Sequence, residues 1–333
     1  MEERVEFTMS DVIPEELLAG LSDTEREMES INRPSISYWR NCWIRLKKDK
    51  LAMLGIAIVV LMTLAAIFVP MLSPYTYDQT DFGNALQWPN SAHLFGTDKM
   101  GRDYAIRVMM GSRISLMVGL IATAIILVIG SIYGSVAAFF GGWVDLVMMR
   151  IVDIIYTVPD VLLIVLLSFA IKSPLESLAQ VPGFGWVQTV GTNLISIFIV
   201  FALLYWVGMA RMVRSQILML KESEYVTAAR ALGAKNGRII KKHLLTNCIG
   251  TLIVTTTLQI PSSIFTESFL SFLGLGVAVP LPSLGSLASE AINGINTYPY
   301  LLFIPSILIS LIILSFNLLG DGLRDAFDPK LKN

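Results

Sequence analysis

The sequence contains little charge for its length. Asp, Glu, Lys and Arg make up 15% of its 333 residues, hydrophobic residues make up 54%, and the mean hydropathy is +0.65. A soluble domain carries charge on about a quarter of its residues. The composition therefore excludes an ordinary soluble domain and indicates an integral membrane protein.

Histidine and cysteine are nearly absent, with two residues of each. His93 and His243 form no H-E-x-x-H motif, which argues against a zinc protease. Cys42 and Cys248 each lie near the end of an apolar segment, so we expect ordinary small apolar residues, neither a disulfide framework nor a metal site. An intramembrane aspartyl protease would require Gly-x-Gly-Asp, but Leu318 stands where the first glycine would be. The absence of any Gly-Lys pair excludes the usual P-loop for a nucleotide phosphate.

Apolar residues are concentrated in runs of about twenty, the length needed to cross a hydrocarbon layer of about 30 Å. Because backbone polar groups inside lipid must bond within their own segment, each run predicts a transmembrane helix. The predicted fold class is an all-α integral membrane protein with six transmembrane helices. The spans are predicted at 51–72, 114–140, 151–171, 191–210, 248–270 and 300–320.

The distribution of Lys and Arg predicts the orientation of these spans. Six basic residues lie between 33 and 50, and eight lie in the loop 211–247. Three more, Arg324, Lys330 and Lys332, follow the last span, whereas 271–299 contains none. Both termini and the loop 211–247 are therefore predicted to be cytoplasmic. Residues 1–35 are acidic and poor in apolar anchors, so we expect a solvated cytoplasmic tail.

The stretch "EYVTAARALGAKNGRIIKKHLLTN" (224–247) predicts two helices joined by a tight turn. Residues spaced three to four apart share a helix face, here Tyr225, Ala228, Ala229 and Leu232. Gly233 suits a helix end in the left-handed conformation, and Asn236 is a plausible cap for the second helix. Periodicity alone allows two interpretations: an amphipathic hairpin held by anionic lipid, or a surface whose small side chains let another protein approach closely.

The spacing of this loop favours the second interpretation. Ala228-Ala229, three residues, Gly233, nine residues and His243-x-Leu245 resemble the EAA loop of ABC-importer permeases. The resemblance implies a cytoplasmic coupling helix that is seated in a groove of an ATPase subunit. It assigns that role to Glu224, Tyr225, Ala228, Ala229, Arg230, Leu232, Gly233, Ala234 and His243. Two residues depart from the pattern, because Thr227 stands where glutamate is general and Thr246 where proline is usual.

Three further stretches resemble the OppC/DppC-type subunit of oligopeptide and dipeptide importers. They are "FGTDKMGRDYAIRVMMGSRISLMVG" (95–119), "ESFLSFLGLGVAVPLPSLGSLASEAIN" (267–293) and "NLLGDGLRDAFDPKLKN" (317–333). Charge pairs at helix spacing in the first predict an external interfacial helix, either a simple anchor of the second span or a contact for a binding protein. In the last, Gly320 and Gly322 predict the end of the sixth helix.

The resemblance implies a type I ABC importer permease in a bacterial cell membrane. Its implied partners are a second permease subunit, two ATPase subunits, an extracytoplasmic peptide-binding protein and membrane lipid, with no nucleic acid. No cofactor is expected on this chain, since ATP and Mg would be bound by the ATPases. The predicted organisation is a tail (1–35), the first span with an external loop and interfacial helix (36–113), a permease core of five spans containing the loop 211–247 (114–320), and a cytoplasmic C-terminal tail (321–333).

The fifth predicted span is rich in polar residues and contains Pro261, which bends a helix. An acid inside a span is costly unless it is solvated or paired, so Glu267 is a candidate for the path or its outer gate. Gln259, Ser263 and, from the third span, Asp160 are further candidates for the path. Two alternatives remain: backbone donors could hold Glu267 near the interface, and hydroxyl residues often join helices to each other.

Two other transport functions compete with peptide import. A secondary transporter would require inverted repeats with paired broken helices, whereas only one polar span carries a central proline. Permeases of the same type also import nickel and other small solutes. The path candidates contain no histidine or cysteine cluster, which favours peptide.

Overall fold

The computed structural model describes residues 37–277 and 280–327, excluding the side chain of Thr189. The predicted tail at 1–35 and the last six residues of the predicted C-terminal tail lie outside the described residues. The chain divides into two units, Met1–Asn41 and Cys42–Asn333. Residues 37–41 are the described part of the first unit, and they contain the beginning of helix α1. The described part of the chain is helical and contains no β-strand.

The helices are numbered here in chain order. They are α1 (Tyr38–Lys48), α2 (Lys50–Leu72), α3 (Tyr104–Phe140), α4 (Gly142–Thr157), α5 (Asp160–Ala179), α6 (Trp186–Val190), α7 (Thr192–Leu220), α8 (Glu224–Ala231), α9 (Asn236–Arg238), α10 (Ile249–Phe272), α11 (Leu284–Ala291) and α12 (Tyr300–Phe327). Helix α7 contains a π-helical segment at Phe201–Tyr205, and a second π-helix, Ile239–Leu244, follows α9. Short 3₁₀ helices occupy Phe82–Asn84 and Ile292–Gly294.

Six of the helices in the described residues are long and apolar enough to cross a membrane: α2, α3, α5, α7, α10 and α12. This confirms the predicted fold class and the number of spans. The first span begins where Asp49 caps it, because the Asp49 carboxylate accepts bonds from the backbone N–H groups of Leu51 (2.9 Å) and Ala52 (3.2 Å). Such a side chain satisfies donors that have no partner within the helix.

Helix α3 occupies the centre of the bundle and packs closely against α7 and α10. A Cβ at Gly134 would overlap the backbone of Ala210, and one at Gly119 would overlap the side chain of Ile264. Small residues permit this close approach. Because lipid provides no hydrophobic driving force between helices, close van der Waals packing of this kind holds them together. The packing makes α3 the element shared by both halves of the bundle.

The second span is longer than predicted. It begins at Tyr104 instead of near 114 and contains 37 residues. Residues 95–103 form a loop, and residues 104–113 form the first turns of α3, so no separate helix precedes α3 within 95–113. The interfacial position expected for this stretch stays a prediction. Asp103 caps this helix through the N–H of Ile106 (2.9 Å), and no proline interrupts the turns that follow.

The third span was predicted too early in the chain, at 151–171. The structure ends α4 at Thr157 and begins α5 at Asp160. Val158 is extended, with ψ 135°, because a residue before proline is disfavoured in the helical region. Pro159 thus separates two helices, and Asp160 begins the second of them instead of lying a turn inside a span.

The predicted helix stop at Gly320 and Gly322 is also wrong, since α12 continues to Phe327. Both glycines serve packing instead. A Cβ at Gly320 would overlap Leu258 of α10, and one at Gly322 would overlap Ala52 of α2. Arg324 therefore lies within this helix, in its last turn.

A largely buried charge network joins the end of the bundle that is predicted to be external. Asp98 accepts bonds from Arg102 Nε (2.7 Å) and Arg107 Nη1 (2.6 Å). Arg107 also donates to both carboxylate oxygens of Glu290 on α11, at 2.8 and 3.1 Å. The predicted pairing of opposite charges is therefore correct, although Asp98 and Arg102 belong to a loop. The network connects this loop, the second span and α11.

Candidate functional site

The loop 224–247 forms two short helical segments joined by a closed turn. Gly233 has φ +79°, which confirms the predicted left-handed residue. The N–H of Ala234 donates to the carbonyl of Ala229, and that of Gly233 to Arg230, both at 3.0 Å. This pair of bonds is a Schellman motif, and it satisfies carbonyls at the end of α8. The cap of the second segment differs from the prediction, because Lys235 is the capping residue and Asn236 is the first residue of α9.

One face of this hairpin is anchored in the protein core. Val226, Ile239 and Leu244 are fully buried, and Ala229 is nearly so. Val226, Ile239 and Leu244 belong to the same hydrophobic cluster as residues of α3 and α7, and Ala234 packs against it. The hairpin is therefore held to the spans by apolar contacts of its own, so a force applied to it reaches the spans.

The opposite face of α8 is open. Tyr225 is 39% exposed and Leu232 is 88% exposed, and Ala228 lies between them on the same face. Ala229, predicted to share this face, is instead turned into the core. The result is a small apolar patch, Tyr225–Ala228–Leu232, which we call the tip.

Polar and charged residues surround the tip. Glu224 is exposed at the first turn of α8, and the exposed Arg230 places its guanidinium 5.9 Å from the ring centroid of Phe139. His243 is half-buried, and its carbonyl accepts a bond from Asn247 Nδ2 (2.6 Å). The structure thus brings all nine predicted coupling residues into one hairpin, where they divide between an open and a buried face.

The two departures from the family pattern have defined places. Thr227 is exposed, and its hydroxyl lies 3.5 Å from the carbonyl of Ser223. Thr246 donates to the carbonyl of Lys241 at 3.2 Å, within the π-helical segment. The threonine that replaces proline therefore bonds locally to the π-helix that leads into the fifth span.

Polar contacts join α7 and Lys221, which lead into the hairpin, to neighbouring helices. Arg214 on α7 donates to both oxygens of Asp145 on α4, at 2.5 and 2.6 Å. These hydrogen bonds lower the pKa of Asp145 below its usual value. Lys221, at the end of α7, donates to the carbonyl of Ala138 on α3 at 3.3 Å. The end of α7 that leads into the hairpin is thereby joined to α3 and α4.

A cavity of about 540 Å³ lies at the break between α4 and α5. Thr157, Pro159 and Asp160 line it on one side, with Tyr205 of α7 and Gln259 of α10 opposite. Ligand cavities in proteins are about 300–1,000 Å³ in volume. We call this the central cavity; it brings together two of the predicted path residues, Asp160 and Gln259.

A second cavity of about 670 Å³ lies at the other end of α5 and α7. Glu176 and Gln180 line it from α5 and the segment that follows, and Gln188 and Asn193 from α6 and α7. Like the central cavity, it has one carboxylate and no lysine or arginine among the described residues that line it. We call it the outer cavity.

The other two predicted path residues line neither cavity. Ser263 is buried beside Thr123, with 3.3 Å between their hydroxyl oxygens. Glu267 is fully buried and accepts bonds from Ser115 and Ser271, both at 2.7 Å. The hydroxyl groups of Ser115 and Ser271 therefore hold Glu267, whereas the alternative from the sequence was that backbone donors hold it.

Sequence reasoning missed Tyr205 and its π-helical segment. Tyr205 lies in an apolar run, "FALLY", that is compatible with any helical hydrogen-bonding pattern, so nothing local indicated it. It also missed the buried contact of Arg107 with Glu290, which lie 183 residues apart. The proline after Val158 was the available signal for the helix break beside the central cavity.

Comparison with known proteins shows the family of the chain. The family described as "Binding-protein-dependent transport system inner membrane component" matches residues 126–333, and "N-terminal TM domain of oligopeptide transport permease C" matches residues 37–89. The Oligopeptide transport system permease protein OppC of Bacillus subtilis (strain 168) is 42% identical over 320 residues, which cover 96% of this chain and 99% of that protein. The Dipeptide transport system permease protein DppC of the same organism is 42% identical over 321 residues, covering 96% and 94%. OppC of Escherichia coli (strain K12) is 38% identical over 308 residues, covering 92% and 96%. The chain therefore belongs to the family of binding-protein-dependent transport system inner membrane components.

Proposed function

We propose that this chain is one of two membrane-spanning subunits of an ATP-driven importer of oligopeptides or dipeptides. Relatives named for oligopeptide and dipeptide transport match nearly its whole length, which favours peptide over nickel or another small solute. The hairpin 224–247 transmits the movement of a separate ATPase to the spans. The observation that carries this role is the exposed apolar tip on a hairpin whose other face is buried in the core.

The tip has the properties of a protein-docking surface. Leu232 is among the most exposed large apolar side chains of the described chain, and Tyr225 lies beside it. Aromatic anchors in the centre of an interface contribute much of its binding energy, and the alanine between them lets a partner approach the backbone. An ATPase groove would bury both anchors at once.

The hairpin can transmit movement because both of its ends are attached to the spans. Ile239 and Leu244 bury the second segment in the core, and Lys221 ties its base to α3. When ATP draws two ATPases together, the tips move with them, the spans rock, and the central cavity opens outward. Phosphate release reverses the movement. Ligand and nucleotide then bias one two-state element reciprocally.

The other subunits of the importer follow from this role. A second permease subunit completes the path, an extracytoplasmic binding protein delivers the peptide, and the ATPases hold ATP and Mg. Both termini and the tip lie in the cytoplasm of a bacterial cell. The basic residues near the ends of the spans support this orientation.

Cysteine crosslinking tests the docking role. In a chain carrying Cys42→Ser and Cys248→Ser, Leu232→Cys is expected to crosslink to a co-expressed candidate ATPase, with a yield that changes on adding ATP. Leu94→Cys is the matched control, because Leu94 is 72% exposed and lies in a loop on the predicted external side. It should give no crosslink to the ATPase. A complex that still imports peptide yet shows no crosslink from position 232 would contradict the proposal.

A further inference from the structure

Two backbone irregularities and a proline lie around the central cavity. The chain is extended at Val158 between α4 and α5, α7 is π-helical from Phe201 to Tyr205, and the continuous helix α10 contains Pro261 two residues after Gln259. Irregular backbone at membrane depth is tolerated where it is buried in protein or lines a water-filled cavity, and π-helical turns often occur at functional sites. Together these features indicate a binding site.

The cavity lies beside the middle of two spans and the beginning of a third. Tyr205 is close to the midpoint of Thr192–Leu220, and Gln259 is close to the midpoint of Ile249–Phe272, whereas Asp160 is the first residue of α5. The helix before the break lies beside the same part of α7, because Val152 of α4 packs against Trp206 and Val207. A solute crossing the bundle beside these helices would therefore pass Asp160.

The lining of the cavity suits a cationic group. Asp160 is exposed, and its Oδ1 accepts a bond from the next N–H along the chain, that of Val161, at 2.8 Å. The Tyr205 hydroxyl oxygen lies 3.2 Å from Thr266 Oγ1 and keeps a lone pair, and the Gln259 amide supplies a further oxygen. These oxygen atoms can accept hydrogen bonds from an ammonium group, and no lysine or arginine is among the described residues that line the cavity.

We propose that the central cavity is a subsite for the protonated amino terminus of the transported peptide, with Asp160 as its specificity-determining residue. The inference rests on the proposed function in peptide import. An α-amino group has a pKa of about 7.7–8.0, so unblocked peptides carry this cation near neutral pH whatever their side chains. One carboxylate facing the cavity offsets the cost of taking that charge out of water. Glu176 offers the same charge in the outer cavity, so an incoming amino terminus passes two acids in turn.

Photocrosslinking tests the subsite in the whole complex. The probe is a tripeptide with a benzophenone side chain on its first residue and a free amino terminus, loaded through the binding protein. The complex, in nanodiscs, is held with a non-hydrolysable ATP analogue. We expect crosslinks to residues that line the central cavity. Asp160→Asn should lower their yield about fivefold, a change on the scale of one partly solvated ion pair, and Asp160→Glu should retain most of it.

Asp153→Asn is the matched control. It removes the same charge seven residues away, where the Asp153 carboxylate pairs with Arg211 (2.8 Å) and does not line the cavity. Its crosslink yield should equal that of the unmodified chain. The inference is overturned if Asp160→Asn leaves the yield unchanged, if Asp153→Asn lowers it equally, or if crosslinks fall outside the cavity in a complex that imports the probe. A complex that imports no peptide at all would instead refute the proposed function.

Discussion

Glu267 is enclosed by hydroxyl groups from two spans. Ser115 of α3 and Ser271 of α10 donate to its two carboxylate oxygens, and Ser268 lies at 3.3 Å. The Ser115 hydroxyl also accepts a long bond, 3.4 Å, from the N–H of Leu284 at the start of α11. One acidic side chain thus fixes α3 to α10 and, through Ser115, to the external helix. This geometry assigns Glu267 a structural role and leaves contact with substrate to other residues.

Replacing Glu267 with alanine is expected to destabilise the protein by about 1–3 kcal/mol, because the buried serine hydroxyls lose their acceptor. The melting temperature of the purified complex in detergent measures this loss. Glu222→Ala is the matched control, since the Glu222 side chain is 80% exposed, and it should leave the melting temperature unchanged. An unchanged melting temperature in Glu267→Ala together with lost uptake would contradict the structural role and return Glu267 to the path.

At the scale of elements, the sequence predicted every span but not every helix end. Length and hydropathy locate a span but not the ends of its helix: α3 begins at Tyr104, before the predicted span, and α12 ends at Phe327, after it. Gly233 was predictable because a left-handed turn demands glycine. Gly320 was misread because a glycine that permits close packing resembles one that ends a helix. Two residues of the central cavity, Asp160 and Gln259, were predicted as path residues. That they line one cavity could not be predicted, because it depends on the tertiary packing of three helices.

The turn at Gly233 sets the direction of the tip relative to the core. Gly233→Pro is expected to abolish ATP-driven uptake with membrane insertion unchanged, because proline fixes φ near −65° and cannot adopt the observed +79°. Gly183→Pro is the matched control: Gly183 has φ +93° in a segment predicted to be external, and neither glycine has a neighbour that a Cβ would meet. That variant should keep its uptake. Normal uptake by Gly233→Pro would show that transport does not depend on the geometry of the turn.

At the scale of the whole molecule, the spans form two packed groups that share α3 and α10. One hydrophobic cluster joins α3 to α5, α7, the hairpin and Leu270 of α10, and another joins α3 to α2, α11, α12 and other residues of α10. The hairpin belongs to the first group, and the network around Arg107 lies beside the second. In the proposed function, a push on the tip acts first on the first group, whose helices α5 and α7 contribute to both cavities. The pair Asp145–Arg214 joins α4, which packs against α7 outside that cluster, to α7.

This pair is expected to transmit movement from the hairpin to the helix break beside the central cavity. Asp145→Asn and Arg214→Gln should each lower the number of peptides imported per ATP hydrolysed, and the double variant should lose no more than either one, because all three remove the same contact.

The effect of pH follows from the lowered pKa of Asp145. A carboxylate with a depressed pKa in the folded state stabilises fully above its unfolded value of about 3.9, and that stability is lost only as the pH falls through the folded pKa. The contribution of this pair to coupling in the unmodified complex should therefore stay constant between about pH 6 and 8. Peptide uptake and phosphate release, measured together in proteoliposomes, give the number of peptides imported per ATP hydrolysed.

Additive losses in the double variant would mean that Asp145 and Arg214 act on coupling through separate contacts. Movement of the hairpin would then have to reach the central cavity by another route.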